Sequence, residues 1–149
     1  MSDAGPGMIA SLLDNTTRHG PGSAGILVLR VGVGAMMLLG HGSDKLFGFS
    51  QKAQVFPDPL GIGSAASLGL TTFAEFFCAM ALILGFATRL AAVPLVINML
   101  VAALVIHGGD PWPKKEFALL YAVPFLTLLF SGGGKYSLDA IVWPRVFGR

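Results

Sequence analysis

Residues 24–47 read AGILVLRVGVGAMMLLGHGSDKLF, and this stretch decides the fold. It is a predominantly apolar run of a little over 20 residues, the length that crosses roughly 30 Å of hydrocarbon at 1.5 Å per residue. No alternation of apolar and polar residues runs through it, so it does not read as a barrel strand. A continuous apolar segment must satisfy its backbone internally, which makes it a helix. Three more segments of the same kind follow, at about 65–86, 90–107 and 116–130. The expected fold is therefore all-α, an integral membrane four-helix bundle with both termini on one side. Residues 24–131 form the membrane domain, flanked by an N-terminal tail over 1–23 and a C-terminal tail over 132–149.

Composition agrees with that reading. Of 149 residues, 54% are apolar and 12% charged, against about 25% charged in an ordinary soluble domain. The apolar content excludes a disordered chain, and the single cysteine, Cys78, excludes a disulfide scaffold. The formal net charge of +2 is small and scattered. It points to basic loops beside membrane spans, and no nucleic-acid partner is expected. Membrane lipids are the expected surroundings. No basic region precedes a short apolar core at the N-terminus, so a removable signal peptide is not expected. Met8, Ile9, Leu12 and Leu13 have the spacing of a short interfacial turn within the N-terminal tail.

The connections carry their own signals. Residues 48–64 form the longest loop, with Pro57, Pro59, Gly61 and Gly63 among the apolar Val55, Phe56, Leu60 and Ile62. Such a loop lies in the interface or dips back over the bundle. Ala87-Thr88-Arg89 is short enough to force an antiparallel hairpin of spans two and three. Pro94 and Pro124 are expected to kink spans three and four. Gly32, Gly34, Ala35, Gly40 and Gly42 in span one read as close-packing positions. With both termini on one side, that side holds Arg18, Arg89, Lys135, Arg145 and Arg149, against Lys45, Lys52, Lys114 and Lys115 opposite. The difference favours cytoplasmic termini.

Charged residues at membrane depth are costly and need a partner or a purpose. At 100° per residue, Arg30, His41 and Lys45 fall on one seam of span one, with Asp44 flanking it. His107 closes span three and Glu116 opens span four, at the same membrane face as His41, Asp44 and Lys45. An outer layer of these five groups is therefore expected. A deeper layer would pair Arg30 with Glu75 of span two, either as a structural ion pair or as part of a proton or substrate path. By helix length Arg30 is about 24 Å below its outer rim and Glu75 about 15 Å below its own, so tilt decides that contact. Asn98 and Tyr121 are weaker signals, each reading first as an interhelical hydrogen bond.

Three chemistries fit the outer layer. Histidine and carboxylate can hydrogen-bond the carbonyls of a quinone and exchange protons with it. His41 and Asp44 at i and i+3 have a metal-like spacing, but Lys45 would place a cation beside the metal, so no metal is expected. The layer could also be a docking face for another protein. No phosphate loop, nucleophile elbow, haem attachment motif or paired-cysteine motif is present.

In order and spacing these residues resemble the DoxX family of small four-helix bacterial membrane proteins. The matching elements are Leu29-Arg30-Val31-Gly32, His41-Gly42-Ser43-Asp44-Lys45-Leu46-Phe47-Gly48, Leu60-Gly61-Ile62, Glu75, Gly85-Phe86-Ala87-Thr88-Arg89, His107, Glu116 and Gly134-Lys135-Tyr136-Ser137-Leu138-Asp139. The resemblance covers roughly residues 25–141. It implies the bacterial cytoplasmic membrane and a part in membrane redox systems. One branch, the DoxD-like proteins, is a subunit of thiosulfate:quinone oxidoreductase. Another is thought to link membrane and soluble proteins of oxidative-stress defence.

The leading expectation is a quinone-linked redox subunit, with His41 or His107 as proton donor and acceptor. Lys45 and Arg30 would stabilise negative charge on the reduced ring, and Glu116 or Glu75 would relay protons. Asp44 and Tyr121 complete the candidate contacts to the head group. The alternative is a non-catalytic membrane anchor within a larger complex or a homo-oligomer. A third reading, a small-molecule or ion permease, rests on the seam from Arg30 to Lys45 and the two prolines.

Overall fold

The computed structural model describes residues 22–146, and all of its regular structure is helical. The turn expected around Met8 to Leu13 lies outside the described residues. Helix α1 covers Gly22–Phe47 and is followed by the short α2 (Phe49–Lys52). Helices α3 (Ser64–Leu84) and α4 (Thr88–Ile106) form the hairpin, α5 is Trp112–Ser131, and α6 is Asp139–Val146. Three of them, α1, α3 and α4, are long and apolar enough to cross a membrane. The 20 residues of α5 begin with Lys114, Lys115 and Glu116 in the first turns, so its apolar part is shorter.

The core is built from one apolar face of each long helix. Met37 of α1, Leu82 of α3, Leu95 of α4, and Phe125 and Leu128 of α5 are fully or almost fully buried and pack in one cluster. The opposite faces carry exposed Val28, Leu70, Ile97, Val123 and Phe130. In a membrane protein these outer faces meet lipid, so exposure of large apolar side chains incurs no penalty there.

Helices α1 and α3 meet backbone to backbone. A Cβ on Gly42 would come within 2.8 Å of the Phe76 backbone nitrogen, and one on Gly34 within 3.1 Å of the Ala79 carbonyl. Small residues eight apart on one helix thus let the two axes close up, as membrane helix pairs require in the absence of a hydrophobic drive. The α3–α4 turn is as tight as its sequence demands. Gly85 adopts φ 68° and Ala87 φ 45°, and the Phe86 amide donates to the Ala81 carbonyl at 2.9 Å to close α3.

The helical backbone widens in three places, over Leu38–Gly42 in α1, Phe73–Cys78 in α3 and Ala102–Ile106 in α4. There the hydrogen bonds skip to the fifth residue, as from the Ser43 amide to the Leu38 carbonyl and from the His107 amide to Ala102. Such wide turns are rare and recur at functional sites.

The segment read as a polar tail is built into the fold. Asp139 starts α6, and its carboxylate accepts from the Ala87 amide at 2.6 Å, the Thr88 amide at 2.8 Å and the Trp143 indole at 2.7 Å. It thereby caps the N-terminus of α4, where an anion is favourable.

Candidate functional site

The helices and the long loop enclose a cavity of about 620 Å³, within the range of roughly 300–1,000 Å³ typical of small-molecule sites. All three wide turns border it, supplying His41, then Phe73, Ala74 and Glu75, then Ala102 and Ile106. An extra residue per turn shifts the phase of the helix, which changes the direction in which the side chains beyond it point. The wall is mostly apolar, with a small set of polar groups contributed by all four long helices.

Glu75 joins polar groups of two other helices. One carboxylate oxygen accepts from the Lys45 ammonium at 2.6 Å and the other from the Asn98 amide at 2.9 Å. Its side chain is 6% exposed and that of Lys45 17%. The His41 ring lies 5.9 Å from Phe117 and 5.7 Å from Tyr121, edge-on to the latter. Among the described residues, neither the His41 ring nor the Tyr121 hydroxyl makes a hydrogen bond. His107 contacts the Asp110 carboxylate through Nδ1 at 2.7 Å. That bond and one from Lys114 hold the Asp110 carboxyl below the usual carboxylate range.

The aqueous end of the cavity is covered by the long loop, which dips back over the helices. Phe56, Pro57, Pro59 and Leu60 face the cavity. Asp58 between them fixes the loop, accepting from the Ser67 hydroxyl at 2.7 Å and from the Gly63 and Ile62 amides at 2.7 and 3.0 Å. These bonds, the Ser67 one foremost, lower the Asp58 pKa.

Of the candidates read from sequence, His41, Lys45, Glu75, His107 and Tyr121 line the cavity together. Arg30, Asp44 and Glu116 do not, and each departure has a physical reason. Arg30 does not pair with Glu75. It is 2% exposed at the other end of α1, where its guanidinium donates to the Leu82 carbonyl at 2.9 Å and to the carbonyls of Ile83 and Tyr136. The difference in depth between Arg30 and Glu75 is left unbridged, and the carbonyls ending α3 take the donors instead. Asp44 points outward, 71% exposed, and pairs with Lys52 of α2. Glu116 is exposed on the outer side of α5, away from the cavity. Asn98 is the member that sequence reading undervalued. An amide within an otherwise apolar span was its signal.

The chain matches the family model described as DoxX over residues 25–108. It is also 30% identical, over 145 residues, to an uncharacterised membrane protein of Mycobacterium tuberculosis, Rv3486, with 81% of this chain and 83% of the relative covered. The chain belongs to the DoxX family. The matched segment of this DoxX chain contains α1, α3 and α4 with their three wide turns, and with them His41, Lys45, Glu75, Asn98 and His107. Tyr121 and Phe117, which complete the aromatic side of the DoxX cavity, come from α5 beyond it. No solved structure matches the chain.

Proposed function

We propose that this DoxX protein is a four-span subunit of the bacterial cytoplasmic membrane that binds a quinone head group in the cavity and exchanges protons with it. The observation that carries the reading is the make-up of the wall: a mostly apolar chamber into which a small set of hydrogen-bonding groups, among them His41, Lys45 and Tyr121, is brought. Lys45 has three N–H donors and gives one to Glu75, so others are available to an acceptor in the cavity. The Tyr121 hydroxyl and the His41 ring have no hydrogen-bond partner among the described residues. Two carbonyl oxygens on a flat ring suit such a set, and Phe117, Tyr121 and His41 supply ring faces and edges against which it can pack.

A bound quinone supplies two-electron, two-proton chemistry. The residues divide the remaining work. His41 and His107 are the groups whose ordinary pKa suits proton exchange near neutrality. The Lys45 ammonium, held by Glu75, sets a positive charge where negative charge would grow on a reduced ring. Glu75, fixed by Lys45 and Asn98, is a positioning anion. Electrons come from a partner subunit, as the redox systems of the family suggest.

The four-span reading takes α5 as the last crossing, which places both tails on one side. Because Lys45 is held by Glu75, its charge belongs to the cavity and not to the topology signal. That leaves Arg18, Arg89, Lys135, Arg145 and Arg149 against Lys52, Lys114 and Lys115, a cytoplasmic bias for the termini.

The test is quinone binding to the purified full chain in lipid nanodiscs. A short-chain benzoquinone is expected to bind saturably, with Lys45→Met weakening it at least tenfold and His41→Ala removing the pH dependence of its reduction in membranes. Absence of saturable binding to the native chain overturns the proposal.

A further inference from the structure

The cavity is roofed by the long loop on one flank and bordered by exposed apolar residues of α3 and α4 on another. Below Glu75 the hairpin is tightly packed: Phe73–Cys78 and Ala79–Leu84 of α3 both lie against Thr88–Val101 of α4. Above Glu75 the two helices part. The first half of α3, Ser64–Thr72, packs mainly on Phe73–Cys78, Ser43–Phe47 and Phe49–Lys52 and has no comparable packing on α4. The hairpin is thus a V, joined at Gly85–Ala87 and open at the end covered by the loop.

Its inner edges belong at once to the cavity and to the surface. Leu70 and Phe73 of α3 and Ile97 of α4 line the cavity and are 58%, 52% and 56% exposed. Leu70 is about 9 Å along α3 from Ser64, and Ile97 about 14 Å along α4 from Ile106. Both depths fall below the rim, where the surroundings are lipid. The aqueous end is the opposite case, because Asp58 ties the loop to α3 over the cavity.

We infer that the cleft between the upper halves of α3 and α4 is a lateral portal. Through it an amphiphile with an isoprenoid or alkyl tail enters from the bilayer, leaving the tail among Leu70, Phe73 and Ile97 with its head at Lys45. This deepens the quinone reading and rests on it, naming the tailed, lipid-borne class of ligand and its route. Apolar walls reaching the lipid allow a tail to stay solvated by hydrocarbon, so no tail desolvation opposes entry.

The experiment compares decyl-benzoquinone with the tail-less ring, bound to the full chain in nanodiscs. Leu70→Trp and Ile97→Trp narrow the portal, while Val123→Trp on the outer face of α5 is the control for bulk at a lipid-facing position. The portal predicts that either substitution weakens the decyl compound at least tenfold, leaves the tail-less ring within twofold, and that Val123→Trp changes neither. A photoreactive group at the end of the decyl chain should label α3 and α4. Equal affinity of the decyl compound for the native and both portal variants, or labelling confined to the 48–63 loop, overturns the portal and leaves the cavity reading intact. Failure of both compounds to bind the native chain overturns the cavity reading and the portal with it.

Discussion

Glu75 is 6% exposed and shares its two oxygens between Lys45 and Asn98. A carboxylate this deep is tolerated only with its donors, so removing one leaves a buried charge behind. Lys45→Met is expected to lower unfolding stability in detergent by about 3 kcal/mol, the low end for buried pairs because Lys45 keeps some exposure. The double variant Lys45→Met/Glu75→Leu should recover most of that loss, since it removes both charges. A double variant less stable than either single one would count against the pair as the cause. Gly42 acts at the same level through what it lacks. A Cβ there would meet the backbone of Glu75 and Phe76, which cannot move as a side-chain end can. Gly42→Ala should therefore cost about 1–3 kcal/mol, read as a drop in melting temperature, whereas Gly32→Ala meets open space and should cost nothing comparable. Much of this site is legible in residue types alone, because charged groups in apolar helices must find one another. His41, Lys45, Glu75 and His107 declare themselves in that way. The placements of Arg30 and Asp44 do not, because they turn on depth and rotation. Arg30 found the free carbonyls at the end of α3, and Asp44 found Lys52 one short helix away.

Elements add what single residues cannot. The helices start and stop close to where apolar runs and glycines place them, with α3 at 64–84 against an expected 65–86 and α4 at 88–106 against 90–107. The wide turns carry no such signal, since no local sequence rule distinguishes Leu38–Gly42 from the ordinary helix around it. Their effect on side-chain direction is therefore invisible before the structure. The loop over the cavity is anchored to α3 by Asp58. Hydrogen bonds to the ionised form depress its pKa. Its contribution is thus complete above the unfolded value of about 3.9 and disappears as pH falls through the lower folded value. Exchange of the Ile62 and Gly63 amides should stay slow from neutrality down to about pH 4 and accelerate below it. Asp58→Asn should give fast exchange at all pH values, and a native chain showing acceleration near pH 6 would refute this anchor. The C-terminal helix has a comparable anchor in Asp139, which holds the α4 amides and the Trp143 indole. Asp139→Ala should free the segment beyond Gly134 for protease cleavage while leaving the proposed quinone site intact, because the cavity lies at the far end of the helices.

For the molecule as a whole, the exposed apolar faces, the buried ionic centre and the charged ends define one orientation problem. Outer residues such as Val28, Leu104, Val123 and Phe130 surround the long helices on every side, so solvent cannot be the medium along their length. The charges that do meet water fall at the two ends. Lys114 is exposed and Lys52 half-buried near the loop that covers the cavity, and Lys135 is exposed beyond α5. If α5 is a crossing, these two groups lie on opposite sides of the membrane, and the basic bias puts Lys135 in the cytoplasm. Labelling can decide this because the chain has one native cysteine, Cys78, buried in α3. In a Cys78→Ser background, Lys114→Cys is expected to react with an impermeant maleimide in intact cells, and Lys135→Cys only after permeabilisation. The reverse pattern would invert the protein and place the cavity loop at the cytoplasmic face. Reaction of both in intact cells would mean that α5 packs on three crossing helices without itself crossing, a result consistent with the lysines and glutamate of its first turns. The lateral opening between α3 and α4 keeps its meaning in either orientation, because both walls belong to helices long and apolar enough to cross. Orientation decides instead which aqueous compartment would exchange protons with His41 and His107 under the proposed function, and so which side of the membrane redox chemistry in the cavity would acidify or drain.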